Sequence, residues 1–213
     1  MNNRFGIAFI IIICFFITAC GQAGVSEEIH QHLEETVKIE SDFEEQQQEI
    51  FELEKKDQEI YEEIIQLGSE DYDEIVELAD EAIALLEKRS DLVELEKDSI
   101  EAAREEFEQI EPLIDDIETE EGKNHVEKMY DAMIARYEAY DDVYDSYSNS
   151  IRLTEDLYKA LKEEEFQEKE VYSLISDVND SYEDVEDAFD LFNTETNSFN
   201  HEKEAYYDYI TEE

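Results

Sequence analysis

The chain has 213 residues, 37% of them charged, with five Gly, one Pro and no Trp. Its 63 acids against 16 Lys and Arg give a formal charge of −47, which repels nucleic-acid phosphates and anionic lipid head groups and excludes nucleic-acid binding. Apolar residues make up 41%, enough for a core and too many for a disordered acidic tail, and the scarcity of turn formers points to few, long helices.

Met1-Asn2-Asn3-Arg4 is a short positive leader ahead of an apolar run, Ile7 to Ile17. Even Phe5 to Ala19 falls short of the ~20 residues that a membrane-spanning helix needs, so residues 1–19 read as a signal peptide. Ile17-Thr18-Ala19-Cys20 has the form of a lipobox: an aliphatic residue, two small ones that fit a peptidase cleft, then the thiol. Cys20 is therefore the expected lipidation site, and a diacylglyceryl anchor on it makes the outer face of the cell membrane the first expected partner. Two acyl chains suffice for stable attachment. Cys14 lies in the leader, which leaves no thiol for a disulfide, a metal cluster or a nucleophile. Residues 20–28 read as the lipidated Cys and a short tether, and 29–213 as a single all-helical domain.

Heptad spacing fills that domain. A first stripe, from Ile29 through Phe43, Leu53 and Ile60 to Leu67, carries Asp57 at one of its positions. Ser41 with Glu44 makes a capping box inside it, which predicts two helices meeting near Glu40. The clearest stripe runs from Tyr72 through Ala79, Leu86, Val93, Ile100 and Phe107 to Ile117, interrupted only by Arg89 and Glu96. Alternating steps of three and four keep one face toward a partner helix, the pattern of coiled-coil packing. A third stripe runs from Val126 to Leu161 and a fourth from Val171 to Ile210, with Lys203 among its positions.

Between the stripes, Gly68 is expected to close a helix in the left-handed conformation, with Ser69 capping the next. Gly122 is expected to end that helix, with Asn124 and Glu127 opening another. Pro112 should kink the chain near Gln109–Ile110. Glu163–Glu170 is either a turn or a stammer in one continuous helix, and Asn193–Asn200 is the segment expected to fray. The predicted fold is all-α: an elongated antiparallel helical bundle of three or four long helices with coiled-coil-like packing.

No catalytic, cofactor or metal site emerges from the residues. Carboxylates are everywhere, so no pair stands out as acid and base, and phosphate-loop, nucleophile-elbow and zinc-protease motifs are absent from the sequence. Glu27-x-x-His30 occurs once, whereas a di-iron site needs it twice, and His30 and His32 point to different sides of a helix. The acids at Asp71-Asp73-Glu74, Asp115-Asp116 and Asp141-Asp142-Asp145 lack the EF-hand pattern and allow only weak, exchangeable divalent-cation binding. Tyr137, Tyr140, Tyr144 and Tyr147 line one stripe. They fit either a core or a ladder for stacking on wall sugars, the core being favoured because tyrosine suits a thin bundle with its hydroxyl at the rim.

The stretches His32-Leu33-Glu34-Glu35-Thr36-Val37, Phe43-Glu44-Glu45-Gln46-Gln47, Leu53-Glu54-Lys55-Lys56, Ile64-Ile65-Gln66-Leu67-Gly68 and Arg136-Tyr137-Glu138-Ala139-Tyr140-Asp141 resemble the YkyA-like lipoproteins of Gram-positive bacteria. The lipobox, the length and the all-helical character agree with that likeness. The resemblance implies a lipid-anchored, cell-wall-binding protein between membrane and wall, and it brings no catalytic residues. The favoured function is a non-enzymatic envelope scaffold, spacer or wall-binding module, with a wall polymer or an envelope protein as partner. The alternative is an extracytoplasmic lipoprotein that captures a cation or small ligand for a transporter.

Overall fold

The computed structural model describes residues 23–164 and 168–212, so the expected signal peptide, the expected lipobox and Cys20 lie outside the described residues. Five helices account for nearly all of them: α1 (Ala23–Ile39), α2 (Ser41–Ile64), α3 (Tyr72–Phe107), α4 (Glu120–Leu161) and α5 (Glu168–Glu212). None of these helices is long and apolar enough to cross a membrane.

Side-chain pairings fix the topology. Along α3 the partners on α2 and α1 run backwards: Arg89 meets Asp57, Glu96 meets Gln47, Ser99 meets the Ile39 carbonyl and Glu106 meets His32. Arg89 with Tyr147, and Phe107 with Tyr130, set α4 antiparallel to α3. Arg136 with Thr196 and Thr119 with Tyr209 do the same for α5 on α4. With α1 and α2 counted as one bent rod, this is the expected elongated antiparallel bundle, and of the three or four rods expected it has four. At 1.5 Å per residue, the 42 residues of α4 span roughly 63 Å.

Local chemistry explains where the helices stop, and it corrects several expectations. Helix α1 begins at Ala23 rather than Ile29, because Val25 packs on the core that holds the fully buried Ile29; residues 23–28 are helix, not tether. The break at Glu40 is present as expected. Gly68 is not left-handed (φ −99°); its N–H is held by the Asp71 carboxylate at 3.1 Å, and one 3-10 turn, Ser69–Asp71, leads into α3. Gly122 ends no helix. Thr119 caps α4 by accepting the Gly122 N–H, and a Cβ on Gly122 would sit 2.8 Å from Thr119 Oγ1 and 3.0 Å from Tyr209 Cε1, so glycine is there for close approach.

Pro112, which has no N–H for an α-helical bond to Glu108, lies in a 3-10 stretch, Glu108–Asp116, that starts directly after Phe107. Helix α4 stops at Leu161 and α5 starts at Glu168, with turn residues at 162 and 164, so the two are separate helices and not one continuous helix. The Asn193–Asn200 segment does not fray: Thr194 and Thr196 turn their hydroxyls back onto the Asp190 and Phe192 carbonyls, and Phe192 and Phe199 are buried.

The core is divided. One apolar cluster, around Ile29, Phe107, Met129, Phe192 and Tyr206, draws on all four rods at the end where α1 begins. The other, around Ile50, Ile60, Leu86, Val93 and Tyr158, lies toward the α2–α3 turn. Between Phe43 and Ile50 on α2, and between Val93 and Ile100 on α3, the stripe positions are polar.

Candidate functional site

The tyrosine stripe of α4 turns inward. Tyr137, Tyr140 and Tyr147 are 1%, 1% and 5% exposed, so their rings belong to the core and present no ladder to a wall sugar; only Tyr144 of the four keeps a partly exposed edge. Their hydroxyls meet acids on other helices: Tyr137 donates to Glu40 (3.3 Å), Tyr147 to Glu54 (2.6 Å), Tyr158 to Asp57 (2.8 Å) and Tyr144 to Glu94 (3.0 Å). Burial pushes the Tyr137, Tyr140, Tyr147 and Tyr158 hydroxyls well above the ordinary tyrosine pKa, which keeps them neutral donors. Tyrosine rather than phenylalanine recurs here because the facing rod brings acids into the bundle that need donors.

Two arginines anchor the same helix. Arg89 is fully buried and reaches Tyr147 (3.1 and 2.7 Å), Glu54 (3.1 Å) and Asp57 (3.3 Å). Burial opposes its charge, and the oxygens of Tyr147, Tyr182 and Glu54 more than offset that, so its net pKa direction is up. Asp57 goes the other way: burial raises its carboxyl above the usual range despite Tyr158 and Arg89. Arg136 holds Glu40, the residue at the α1–α2 break, with two bonds of 2.8 and 3.0 Å, and adds Thr196 at 3.2 Å. Lys203 of α5 is buried nearby with its ammonium 4.9 Å from the Phe199 ring centre, and burial lowers its pKa. Arg89, Glu96, Asp57 and Lys203 all fall on the predicted stripes, and a charge at a stripe position was the signal of these networks. Arg136 and Glu40 lie off the stripes and were not foreseen.

The remaining sequence candidates are structural. His30 bonds Tyr207 (2.9 Å) and His32 bonds Glu106 (2.7 Å), clipping α1 to two different rods. Asp115 pairs with Lys123, whose hydrogen bond holds its carboxyl below the usual range; Asp141 pairs with Lys97 and lies 3.6 Å from Arg104. Among the described residues no group of three or more His, Cys, Asp or Glu is arranged to hold a metal ion.

Residues 24–209 match the YkyA family, whose description is "Putative cell-wall binding lipoprotein". The chain belongs to this family. It is 29% identical over 196 residues to the Bacillus subtilis (strain 168) protein named "Uncharacterized lipoprotein YkyA", covering 92% of this chain and 88% of that one. A crystal structure of a conserved protein of unknown function from Staphylococcus aureus superposes with a TM-score of 0.61 at 17% identity, over 89% of this chain and 97% of that one, and it shares the fold.

The two ends of this YkyA-family bundle differ. At the base, the start of α1 and the end of α5 border a half-open cavity of about 180 Å³ lined by Gly24, Ser26, Glu118, Gly122, Tyr206 and Tyr209 among others. At the tip, Tyr72 donates to the Lys162 carbonyl (2.7 Å) and Lys162 pairs with Asp80, tying the two turns together. Ile65, just past α2, is 61% exposed and Tyr172, in the second turn of α5, is 70% exposed.

Proposed function

We propose that the protein is a non-enzymatic spacer, held by a diacylglyceryl anchor on Cys20 at the outer face of the membrane, whose tip contacts the cell wall or an envelope protein. The observation that carries this reading is the placement of the two ends. Helix α1 starts three residues after Cys20 at the base, and Ile65 just past α2 and Tyr172 near the start of α5 lie a full helix length away. A bundle with a filled core offers little concavity for catalysis, and the base cavity is well below the ~300 Å³ at which ligand pockets typically begin, so a transporter-linked capture role has less support. Family membership supports a lipoprotein with a wall-directed role.

The contact is testable with the full-length protein in detergent, sedimented with isolated wall. Retention is expected, and Ile65→Ser combined with Tyr172→Ser should weaken it about tenfold or more, the loss that follows from truncating apolar anchors of a contact. Both side chains are exposed, so the variant should melt like its parent. Undiminished retention by the tip variant would move the contact elsewhere, and no retention would favour a membrane-protein partner.

A further inference from the structure

The polar gap between the two apolar clusters is built around one carboxyl. Glu96 of α3 is 2% exposed, and the one hydrogen bond on it comes from Gln47 Nε2 of α2 at 2.6 Å. From α4, Tyr140 sets its hydroxyl beside the carboxyl without closing a bond, and that hydroxyl is buried without a partner. The neighbouring Gln46 on α2 also buries its Oε1 with no donor. From α5 comes Phe192, whose uncharged ring packs edge-on against Tyr140. The nearest cation in sequence, Lys97, is committed to Asp141 and Glu101. A buried carboxylate with no cation is among the costliest arrangements in a core, whereas a protonated one carries no charge to desolvate.

We propose that the Gln47–Glu96–Tyr140 layer is a proton-operated waist: closed while Glu96 is neutral, and opened to water, loosening one half of the rod against the other, when Glu96 ionises. Burial is the main cause that raises its pKa to about 7, against the Gln47 bond and the neighbouring Tyr140 hydroxyl, which lower it. The sign follows. An acid with a raised folded-state pKa favours the closed form fully below its open-state value near 4.5, and that preference is lost as pH climbs to about 7. Position adds to the effect. Phe43, in the first turn of α2 beyond the Glu40 break, rests on the same Tyr140 ring, so opening the layer also releases the bent end of that rod.

The test is hydrogen exchange of the full chain in detergent from pH 5.5 to 8.5, normalised for intrinsic rates. Segments 43–50, 93–100 and 137–144 should lose protection about 30-fold across that range, while Glu96→Gln, which keeps the shape and cannot ionise, should hold protection constant. The same pH dependence in both proteins, or a loss spread evenly along the rod as general acid–acid repulsion would give, overturns the proposal. Carboxyl-carbon NMR of the unsubstituted protein gives an independent reading: a glutamate titrating near 7 supports the waist, and every glutamate titrating near 4.5 overturns it.

Discussion

Arg89→Ala is expected to destabilise the bundle by about 3–5 kcal/mol, the usual cost of leaving a buried charge without its partner. Arg89 has no surface exposure and Asp57 is 5% exposed, so neither regains water while the fold is intact. Without the guanidinium, Asp57 keeps only the Tyr158 donor, and the Tyr147 hydroxyl loses two bonds from Arg89. Glu54 is better placed, since a third of its side chain already reaches solvent, which is why the loss should come chiefly through Asp57. Adding Asp57→Leu to an Arg89→Met change should recover much of the loss, because replacing a buried pair by apolar side chains of similar volume is often neutral. Urea unfolding of the parent, Arg89→Met, Asp57→Leu and the double variant measures the coupling directly; a single Arg89→Ala costing under about 1 kcal/mol would show that the network is hydrated and unimportant for stability.

Cys20→Ala should abolish membrane attachment altogether. An apolar leader of Phe5–Ala19 is too short to hold the chain in hydrocarbon, and the helices described here carry no span to replace it. The acidic surface adds repulsion from anionic head groups, leaving no electrostatic second route. Fractionation of cells should find the variant unprocessed or released to the medium. Processing at the same site with undiminished membrane content would contradict the lipoprotein assignment of Cys20.

Much of the fold was legible because heptad spacing reports burial directly. Ala79, Leu86, Val93, Ile100 and Phe107 were read as one stripe and are all buried, and so are the two polar interruptions, Arg89 and Glu96. Burial follows from position on the helix, and composition decides only what must be paired there. The second buried face of α4 was less visible. Ala132, Ala139 and Ser150 lie off the tyrosine stripe and are buried as well. The clue was a wide apolar arc rather than a seam.

Glycines were misread because a cap and a close approach leave the same residue in the sequence, and only the φ at Gly68 and the Thr119 and Tyr209 contacts at Gly122 separate the two. The tyrosines were half legible. Their spacing placed them on a core face, but the acids that receive Tyr137, Tyr147 and Tyr158 come from a rod about a hundred residues earlier, and no single stripe reveals such a partner.

The central claim is that the bundle stands away from the membrane with its tip outward, and energy transfer tests it most directly. Full-length protein is placed in vesicles through its anchor, with an acceptor dye in the bilayer and a donor on a single introduced thiol, Gly24→Cys or Ile65→Cys. Both positions tolerate the change: a Cβ on Gly24 meets nothing within 4 Å, and Ile65 is 61% exposed. Strong transfer from position 24 and little from position 65, roughly 60 Å farther out along the helices, is the predicted result. Equal transfer from the two positions would mean that the rod lies along the bilayer, and it would contradict the account.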